Sequence, residues 1–363
     1  MIGRIRYGGM PTAALRNGNG VDYSYLPLLT IWMQNFLLSC DWGTSSFRLR
    51  LVNVEDHQVI GERLSGDGTA ATHTRWKVCC EEEEISKENF YLRQLRQEVD
   101  ALSDKVSIPL RDIPVVISGM ASSSIGIKEL PYASLPFSLD GSDAIVQRWG
   151  AEKDASYNVW LLSGVRTAHD VMRGEETQII GLASMDTGIN TGEAVTCIFP
   201  GTHSKHIKVQ KGKIVDFQTY MTGEVFQVMS QHSILKDTLS ASSNELPIDK
   251  TDAKAFCLGI VQSGASNLLH TLFTVRSSQL FEHITKEENF FYLSGLLIGT
   301  ELRSLKDNGG GRIVLCSGSN VFHLYELAIQ ELNLQDRTVV IAPDIIDNVA
   351  MEGHLKLFQN HGG

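Results

Sequence analysis

Three short turns rich in glycine and hydroxyl side chains constrain the fold of this chain most strongly. They lie at residues 41–46, 200–205 and 317–319, and each follows an apolar run typical of a buried strand. Such turns present backbone N–H groups and small hydroxyls, which can bind a polyphosphate at the end of a strand. One nucleotide could contact all three turns, so the pattern predicts a binding site assembled from distant segments.

The first turn also carries an acidic residue. Asp41 lies at the tip of a predicted hairpin, where its carboxylate would repel a phosphate unless a cation lay between them. The pattern therefore predicts Mg-ATP, with Asp41 binding Mg²⁺ through water. A plain turn role for Asp41 is the alternative, and the two other turns favour the Mg²⁺ role.

The predicted nucleotide contacts come from all three turns. The first turn supplies Gly43, Thr44 and Ser45. The other two supply Gly201, Thr202, His203, Ser204, Lys205, Ser317, Gly318 and Ser319. Lys205 either contacts a phosphate or lies on a solvated strand face, and the sequence leaves both open.

Composition excludes several classes of function. The net charge of −10 argues against a nucleic-acid or anionic-membrane surface, which needs clustered Lys and Arg. The six cysteines lack the spacing of zinc sites, so reduced thiols and a cytoplasmic location are expected. His203 and His206 would point to opposite faces of a strand, which disfavours a shared metal.

The order of predicted elements indicates an α/β fold with two related lobes. The first half contains strands at 36–40, 47–52, 59–64, 113–117 and 157–162, with a helix at 81–102. The second half contains strands at 195–199, 207–210, 214–219, 313–316 and 339–342, with helices at 175–183 and 321–332 and mostly helical sequence between 219 and 304. A strand meander followed by alternating helices and strands predicts two ribonuclease-H-like lobes of the actin-like ATPase and sugar kinase type, with a cleft between them.

A chain of 363 residues is long enough for two domains of about 150 residues each. We place the N-terminal lobe, on the sugar and phosphate side, at residues 33–168, and the C-terminal lobe, on the nucleotide side, at residues 169–363. Residues 1–32 have no periodic apolar face and predict a disordered or spurious extension.

Six segments together resemble one kinase family, in order and over roughly residues 33–355. They are Asp41-Trp-Gly-Thr-Ser-Ser46, Ser118-Gly-Met-Ala-Ser-Ser123, Asp170-Val-Met-Arg-Gly-Glu-Glu-Thr-Gln178, Pro200-Gly-Thr-His-Ser-Lys205, Met221-Thr-Gly-Glu224 and Leu293-Ser-Gly-Leu-Leu-Ile-Gly299. The chain thus resembles the 2-keto-3-deoxygalactonate kinase (2-dehydro-3-deoxygalactonokinase) family. The resemblance implies ATP-dependent phosphorylation of the C6 hydroxyl of a 2-keto-3-deoxy sugar acid, with 2-dehydro-3-deoxy-D-galactonate of galactonate catabolism as the leading substrate.

The substrate side of the predicted site centres on Arg173. A sugar acid brings a carboxylate that suits a planar guanidinium, and Arg166 is the competing candidate. Gly119, Met120 and Ser122 follow a strand and are predicted to line the sugar pocket, together with Asp170.

The predicted catalytic base is Glu175 or Glu176, and Asp170 is the third choice. In related sugar kinases an acidic base opens the helix before the second phosphate hairpin, and this pair occupies that place. A purely electrostatic role at a helix N-terminus is the alternative for one of the two.

Two other functions stay open. One is a catalytically silent actin-like protein that binds nucleotide, and the other is a kinase of a different small molecule. The expected partner is a small sugar acid, without nucleic acid or membrane, and formation of a homo-oligomer is left open.

Overall fold

The computed structural model describes residues 35–149, 158–185, 187–190, 192–240, 250–264, 267–307 and 311–362. The predicted N-terminal extension at residues 1–32 lies outside the described residues. Among those that are described, no helix is both long and apolar enough to span a membrane.

The helices and strands follow one another along the chain in two series. The first series comprises β1 (Phe36–Trp42), β2 (Phe47–Asn53), β3 (Val59–Ser65), α1 (Thr69–Glu82), α2 (Lys87–Val106), β4 (Val115–Gly119), β5 (Ala133–Ser134), β6 (Phe137–Ser138), β7 (Val146–Trp149), β8 (Val159–Leu162), β9 (Val165–Arg166) and β10 (Val171–Met172). The second series comprises α3 (Glu175–Ser184), β11 (Val195–Phe199), β12 (Ser204–Gln210), β13 (Lys213–Tyr220), α4 (Thr222–His232), α5 (Lys250–Gln262), α6 (Leu268–Leu280), α7 (Lys286–Asp307), β14 (Arg312–Cys316), α8 (Ser319–Glu331), β15 (Thr338–Ile341) and α9 (Pro343–Asn360).

Two six-stranded sheets share the same core order. The first runs β3-β2-β1-β4-β8-β7, with β1, β2 and β3 antiparallel and β1, β4 and β8 parallel. The second runs β15-β14-β11-β12-β13-β6, with β11, β12 and β13 antiparallel and β11, β14 and β15 parallel. This repeated order of meander and parallel strands confirms the two ribonuclease-H-like lobes predicted from the sequence.

The apolar residues form three cores because the strands alternate between two buried faces. Along β1, Leu37 packs between the two sheets, whereas Leu38 packs outward toward α2. The outer core of the second sheet packs against α5, α7 and α8. Helices α3 and α9 fill the central layer between the sheets.

The two central helices cross at very short range. A Cβ on Gly181 of α3 would lie 1.8 Å from the carbonyl oxygen of Val349, and one on Gly353 of α9 would lie 2.1 Å from that of Thr177. Helix α9 follows the last strand of the second sheet but also contacts the first sheet, where the Ser39 hydroxyl lies 2.7 Å from Nδ1 of His354. The C-terminal helix therefore joins both lobes.

One helix prediction is wrong. The expected helix at residues 81–102 is the end of α1 followed by α2, which begins after Ser86. The Ser86 hydroxyl accepts a hydrogen bond from the backbone N–H of Asn89 and so caps a new helix. Helix α1 escaped prediction because it buries only Thr69 and Thr72 and has no apolar stripe.

Candidate active site

The carboxyl ends of β1 and β4 place two polar residues side by side. The strands are parallel, and Asp41 pairs with Ser118 in register. Residues Leu37 and Val116, an even number of positions earlier, belong to the central core, so Asp41 and Ser118 face the same layer. The Ser118 hydroxyl is buried and has no hydrogen-bond partner among the described residues.

Two glycines with positive φ let the start of α3 approach these strand ends. Gly119 has φ +87°, and a Cβ there would lie 3.3 Å from Oδ1 of Asp41 and 2.8 Å from the carbonyl oxygen of Trp42. Gly174, at the N-cap of α3 with φ +105°, would place a Cβ 3.4 Å from Cα of Gly119. The residues just after Gly174 therefore lie beside Asp41.

Asp41 lies in an electrostatically unfavourable place for a lone carboxylate. Burial raises its pKa, and the negative charge of Glu175 raises the pKa further. Arg48, its cross-strand partner on β2, acts in the opposite direction. A carboxylate whose charge is destabilised by burial and by a neighbouring carboxylate favours a cation beside it.

The two glutamates at the start of α3 differ in their hydrogen bonds. Both carboxylate oxygens of Glu176 accept from the backbone N–H of Gly174, at 2.8 and 3.0 Å, and Thr177 donates at 3.2 Å. Burial, followed by the charge of Glu175, raises the pKa of Glu176 to about 8. This side chain is folded back on the beginning of its own helix.

Glu175 keeps one oxygen free. Its Oε1 lies 3.1 Å from Nζ of Lys205, whereas Oε2 is buried and has no hydrogen-bond partner in the described part of the chain. The Lys205 side chain is 6% exposed and also donates to the carbonyl oxygen of His203 at 3.0 Å. The predicted alternative of a solvated strand face for Lys205 is therefore wrong.

Arg173 is held in place by groups from the segment after β4. It donates to the Ser122 hydroxyl at 2.8 Å, to the carbonyl oxygen of Leu130 at 3.1 Å and to the Tyr132 hydroxyl at 3.1 Å. The guanidinium also lies 4.0 Å from the centre of the Tyr132 ring. Within the described residues, these bonds leave one N–H on each terminal nitrogen, a pair suited to a carboxylate.

Other predicted substrate-side residues differ in availability. Met120 is partly exposed next to Gly119, and the competing Arg166 is exposed on β9.

Asp170 accepts hydrogen bonds from the backbone N–H and the hydroxyl of Thr219, at 2.6 and 2.7 Å, and from the backbone N–H of its neighbour Val171. Its carboxylate is thus occupied in joining the segment before α3 to β13.

A helix start supports each of the first two turns. In the first, the N–H groups of Thr69 and Ala70 donate to the carbonyl oxygens of Gly43 and Thr44, at 2.9 and 3.1 Å. In the second, the N–H of Glu224 donates to the carbonyl oxygen of Thr202 at 3.0 Å. The hydroxyl side chains of Thr44, Ser45, Ser46 and Thr202 remain exposed.

The remaining nucleotide candidates lie at the same edge of the second sheet. Strands β11 and β14 are parallel neighbours, so the turn with Gly201 and the turn with Gly318 leave the sheet side by side. Ser317 is buried, whereas Gly318 and Ser319 are exposed at the start of the 13-residue helix α8.

In the second turn, His203 is exposed, and its Nε2 lies 2.6 Å from Oε2 of Glu224. Ser204 is buried beneath the turn.

A cavity of about 430 Å³ lies beside Asp41. It is lined by Asp41, Ser46, Phe47, Arg48, Leu64 and Ser65. Among the described residues, no group of three or more His, Cys, Asp or Glu side chains is arranged to hold a metal by itself. A cation here would need ligands from a phosphate or from water as well.

A family model described as 2-keto-3-deoxy-galactonokinase matches residues 41–351. The chain belongs to this family. Its members are phosphotransferases, and the match spans Asp41, Arg173, Glu175 and all three turns.

Named relatives agree with this assignment. The chain is 31% identical over 313 residues to a Rhizobium meliloti (strain 1021) protein named "Probable 2-dehydro-3-deoxygalactonokinase DgoK1", covering 84% of this chain and 92% of that one. It is 32% identical over 228 residues to the 2-dehydro-3-deoxygalactonokinase of Escherichia coli (strain K12), covering 60% and 71% of the two chains. A crystal structure of a Sinorhizobium meliloti protein assigned as a 2-dehydro-3-deoxygalactonokinase has a TM-score of 0.70 at 26% identity, covering 90% of this chain and 99% of that one.

Proposed function

We propose that this kinase transfers the γ-phosphoryl group of ATP to the C6 hydroxyl of 2-dehydro-3-deoxy-D-galactonate, in the cytoplasm. Family membership and the names of the relatives support the substrate class. The observation that carries the proposal is the buried Oε2 of Glu175, which has no hydrogen-bond partner among the described residues. The charge of the same side chain acts on Asp41, and Glu175 lies two residues from Arg173.

Arg173 binds the carboxylate end of the sugar acid. Its guanidinium is already oriented by Ser122, Leu130 and Tyr132, so little side-chain entropy is lost when the substrate binds. The free N–H on each terminal nitrogen forms a bidentate pair with the substrate carboxylate. The sugar then extends past Gly119 and Met120 toward the strand ends.

Glu175, rather than Glu176, acts on the C6 hydroxyl. Its Oε2 accepts the hydroxyl proton as the C6 oxygen forms its bond to phosphorus and the bond from phosphorus to the ADP oxygen breaks. Lys205 holds Oε1, which fixes the orientation of the carboxylate. Glu176 is less suitable, because both of its oxygens already accept hydrogen bonds from Gly174.

The three turns bind the nucleotide through backbone N–H groups and hydroxyls. A divalent cation fits beside Asp41, because burial and the negative charge of Glu175 raise the pKa of Asp41, and the neighbouring Ser118 hydroxyl has no partner among the described residues. Asp41 would hold Mg²⁺ through water, and the ion would neutralise charge on the β- and γ-phosphates.

A kinase of another small acid is the second candidate, since Arg173 would bind any carboxylate of suitable length. A silent nucleotide-binding protein is disfavoured by the free oxygen of Glu175, which has no evident structural use.

The proposal is tested by measuring ADP release from Mg-ATP with purified protein. Release should require 2-dehydro-3-deoxy-D-galactonate, and mass spectrometry with ³¹P NMR should locate the new phosphate on C6. The same acid lacking the C6 hydroxyl should bind without being phosphorylated. Absence of ADP release with this acid, together with turnover of a different acceptor, would refute the proposed substrate.

A further inference from the structure

A buried carboxylate lies behind the second nucleotide turn. Glu301, in the C-terminal half of α7, is 2% exposed. Its Oε1 accepts from the Ser204 hydroxyl at 2.7 Å and from Nε2 of His206 at 3.0 Å. Its Oε2 accepts from the hydroxyls of Thr222 and, at 2.8 Å, Tyr325. Each oxygen thus has two donors, which compensates the cost of burying the charge.

The four donors belong to segments that carry the nucleotide turns. Ser204 directly follows the turn with Gly201 and Thr202, and Thr222 begins α4, which supports that turn. A Cβ on Gly223, next to Thr222, would lie 2.6 Å from the carbonyl oxygen of Gly201, so α4 and the turn are in close contact. Tyr325 lies on α8, the helix that begins at the third turn.

Glu301 itself lies below the turns rather than in the cleft. The hydrogen bonds described above for its carboxylate all come from side chains of neighbouring elements, and these elements shield it from solvent. A fully apolar contact could hold these elements together as well, since buried charges contribute little net stability. The carboxylate instead fixes the distances between three separate elements, because each hydrogen bond has a narrow range of lengths.

We propose that Glu301 is a positioning residue for the nucleotide, because its carboxylate fixes the position of the second turn relative to the third. The inference rests on the proposed function in so far as the bound nucleotide is ATP or ADP. It does not depend on the identity of the sugar acid. Loss of the carboxylate should therefore weaken nucleotide binding and leave the sugar-acid side unchanged.

Replacement of Glu301 by Gln tests this with little change of volume. The amide NH₂ of glutamine donates hydrogen bonds and cannot accept them from the hydroxyls of Thr222 and Tyr325. The hydrogen bonds to α4 and α8 are therefore lost, or their donor and acceptor are exchanged. Calorimetric titration of the full-length protein with Mg-ADP and with a non-hydrolysable ATP analogue should show about a tenfold increase in Kd. The KM for the sugar acid should stay within twofold of the wild-type value. Tyr325→Phe, which removes one of the four donors, should give a smaller increase.

Asn289→Leu provides the matched control. Asn289 is also a fully buried polar residue of α7, but it donates to the carbonyl oxygens of Thr238 and Val275, away from the turns. This variant should lower the Tm without changing the Kd for Mg-ADP.

The outcomes separate the two proposals. Equal Kd values for Glu301→Gln and wild type, in folded proteins, would overturn the positioning role while leaving the kinase assignment intact. An equal loss of Mg-ADP affinity in Glu301→Gln and Asn289→Leu would also overturn the positioning role, because general destabilisation would then explain the weaker binding. A loss of Mg-ADP affinity in Glu301→Gln but not in Asn289→Leu supports the role, even if the sugar acid proves not to be the substrate.

Discussion

At the scale of single residues, the sequence predicted which side chains lie in the candidate site but not the role of each one. Asp41 was predicted from a turn after an apolar run, whereas Arg173 and the glutamate pair were predicted from a motif between the first and second turns and from the family resemblance. The choice between Glu175 and Glu176 did not follow, because it depends on which side chain folds back to the N–H of Gly174. Tyr132 carried no signal, since it lies 41 residues before the arginine it contacts.

Arg173→Lys should chiefly raise the KM for the sugar acid. Lysine keeps the charge but loses the bidentate contact and the contact of the guanidinium with the Tyr132 ring. A charge-assisted hydrogen bond contributes about 1.5–3 kcal/mol, which corresponds to roughly a 10- to 150-fold increase in KM. Steady-state kinetics at saturating Mg-ATP would measure it, with the exposed Arg166→Lys as the control. An unchanged KM in Arg173→Lys would remove Arg173 from the substrate clamp.

At the scale of elements, the longer buried strands were predictable, whereas the short strands β5, β6, β7, β9 and β10 and the helix contacts were not. Strand β11 was predicted with its observed bounds, because a short apolar run between turn residues identifies a buried strand. The close crossing of α3 and α9 depends on Gly181 and Gly353, which are far apart in sequence. No local pattern tells which glycine will face another helix.

Gly353→Ala should destabilise the protein by about 1–3 kcal/mol or more, the cost typical of overpacking. The new methyl group would lie 2.1 Å from the backbone oxygen of Thr177, which cannot move without shifting α3. Denaturant unfolding would measure the change. Gly66→Ala is the control, since a Cβ there meets nothing within 4 Å. Equal stability of the two variants would contradict the packing of α3 against α9.

The buried histidine of α9 gives a pH dependence. Burial lowers the pKa of His354 to about 3, from an ordinary value of 6.5. Because the unfolded chain takes up this proton more readily, the histidine's contribution to stability is fully present above pH 6.5. It is lost as the pH falls toward 3, at up to about 1.4 kcal/mol per pH unit.

The free energy of unfolding of wild type and His354→Gln, measured from pH 7.5 to 4.5, would isolate this contribution. The variant should lose less stability than wild type as the pH falls below 6.5. Parallel profiles would show that His354 does not stay neutral in the folded protein.

At the scale of the whole molecule, the repeated strand order was predictable because each lobe is built from local meanders and strand-helix units. The placement of α9 against both sheets was not, since it follows β15 in sequence but contacts Ser39 of β1 in space. The salt bridge from Lys205 on β12 to Glu175 on α3 likewise joins distant segments. The site therefore depends on how the two lobes meet.

The lobes should close when both substrates bind, as kinases commonly do to exclude water. Small-angle scattering should show a smaller radius of gyration with a non-hydrolysable ATP analogue, Mg²⁺ and the sugar acid together than with either ligand alone. An unchanged radius with both ligands bound would argue against a closing cleft.

The kinetic comparison of Glu175→Gln with Glu176→Gln tests the central claim most directly, because of these two glutamates only Glu175 has an oxygen without a hydrogen-bond partner among the described residues. Under saturating Mg-ATP and 2-dehydro-3-deoxy-D-galactonate, Glu175→Gln should lower kcat about 100-fold or more with both KM values little changed. Glu176→Gln should affect stability more than kcat, since its carboxylate caps α3. Wild-type kcat in Glu175→Gln, with a large loss in Glu176→Gln, would contradict the assignment of the base.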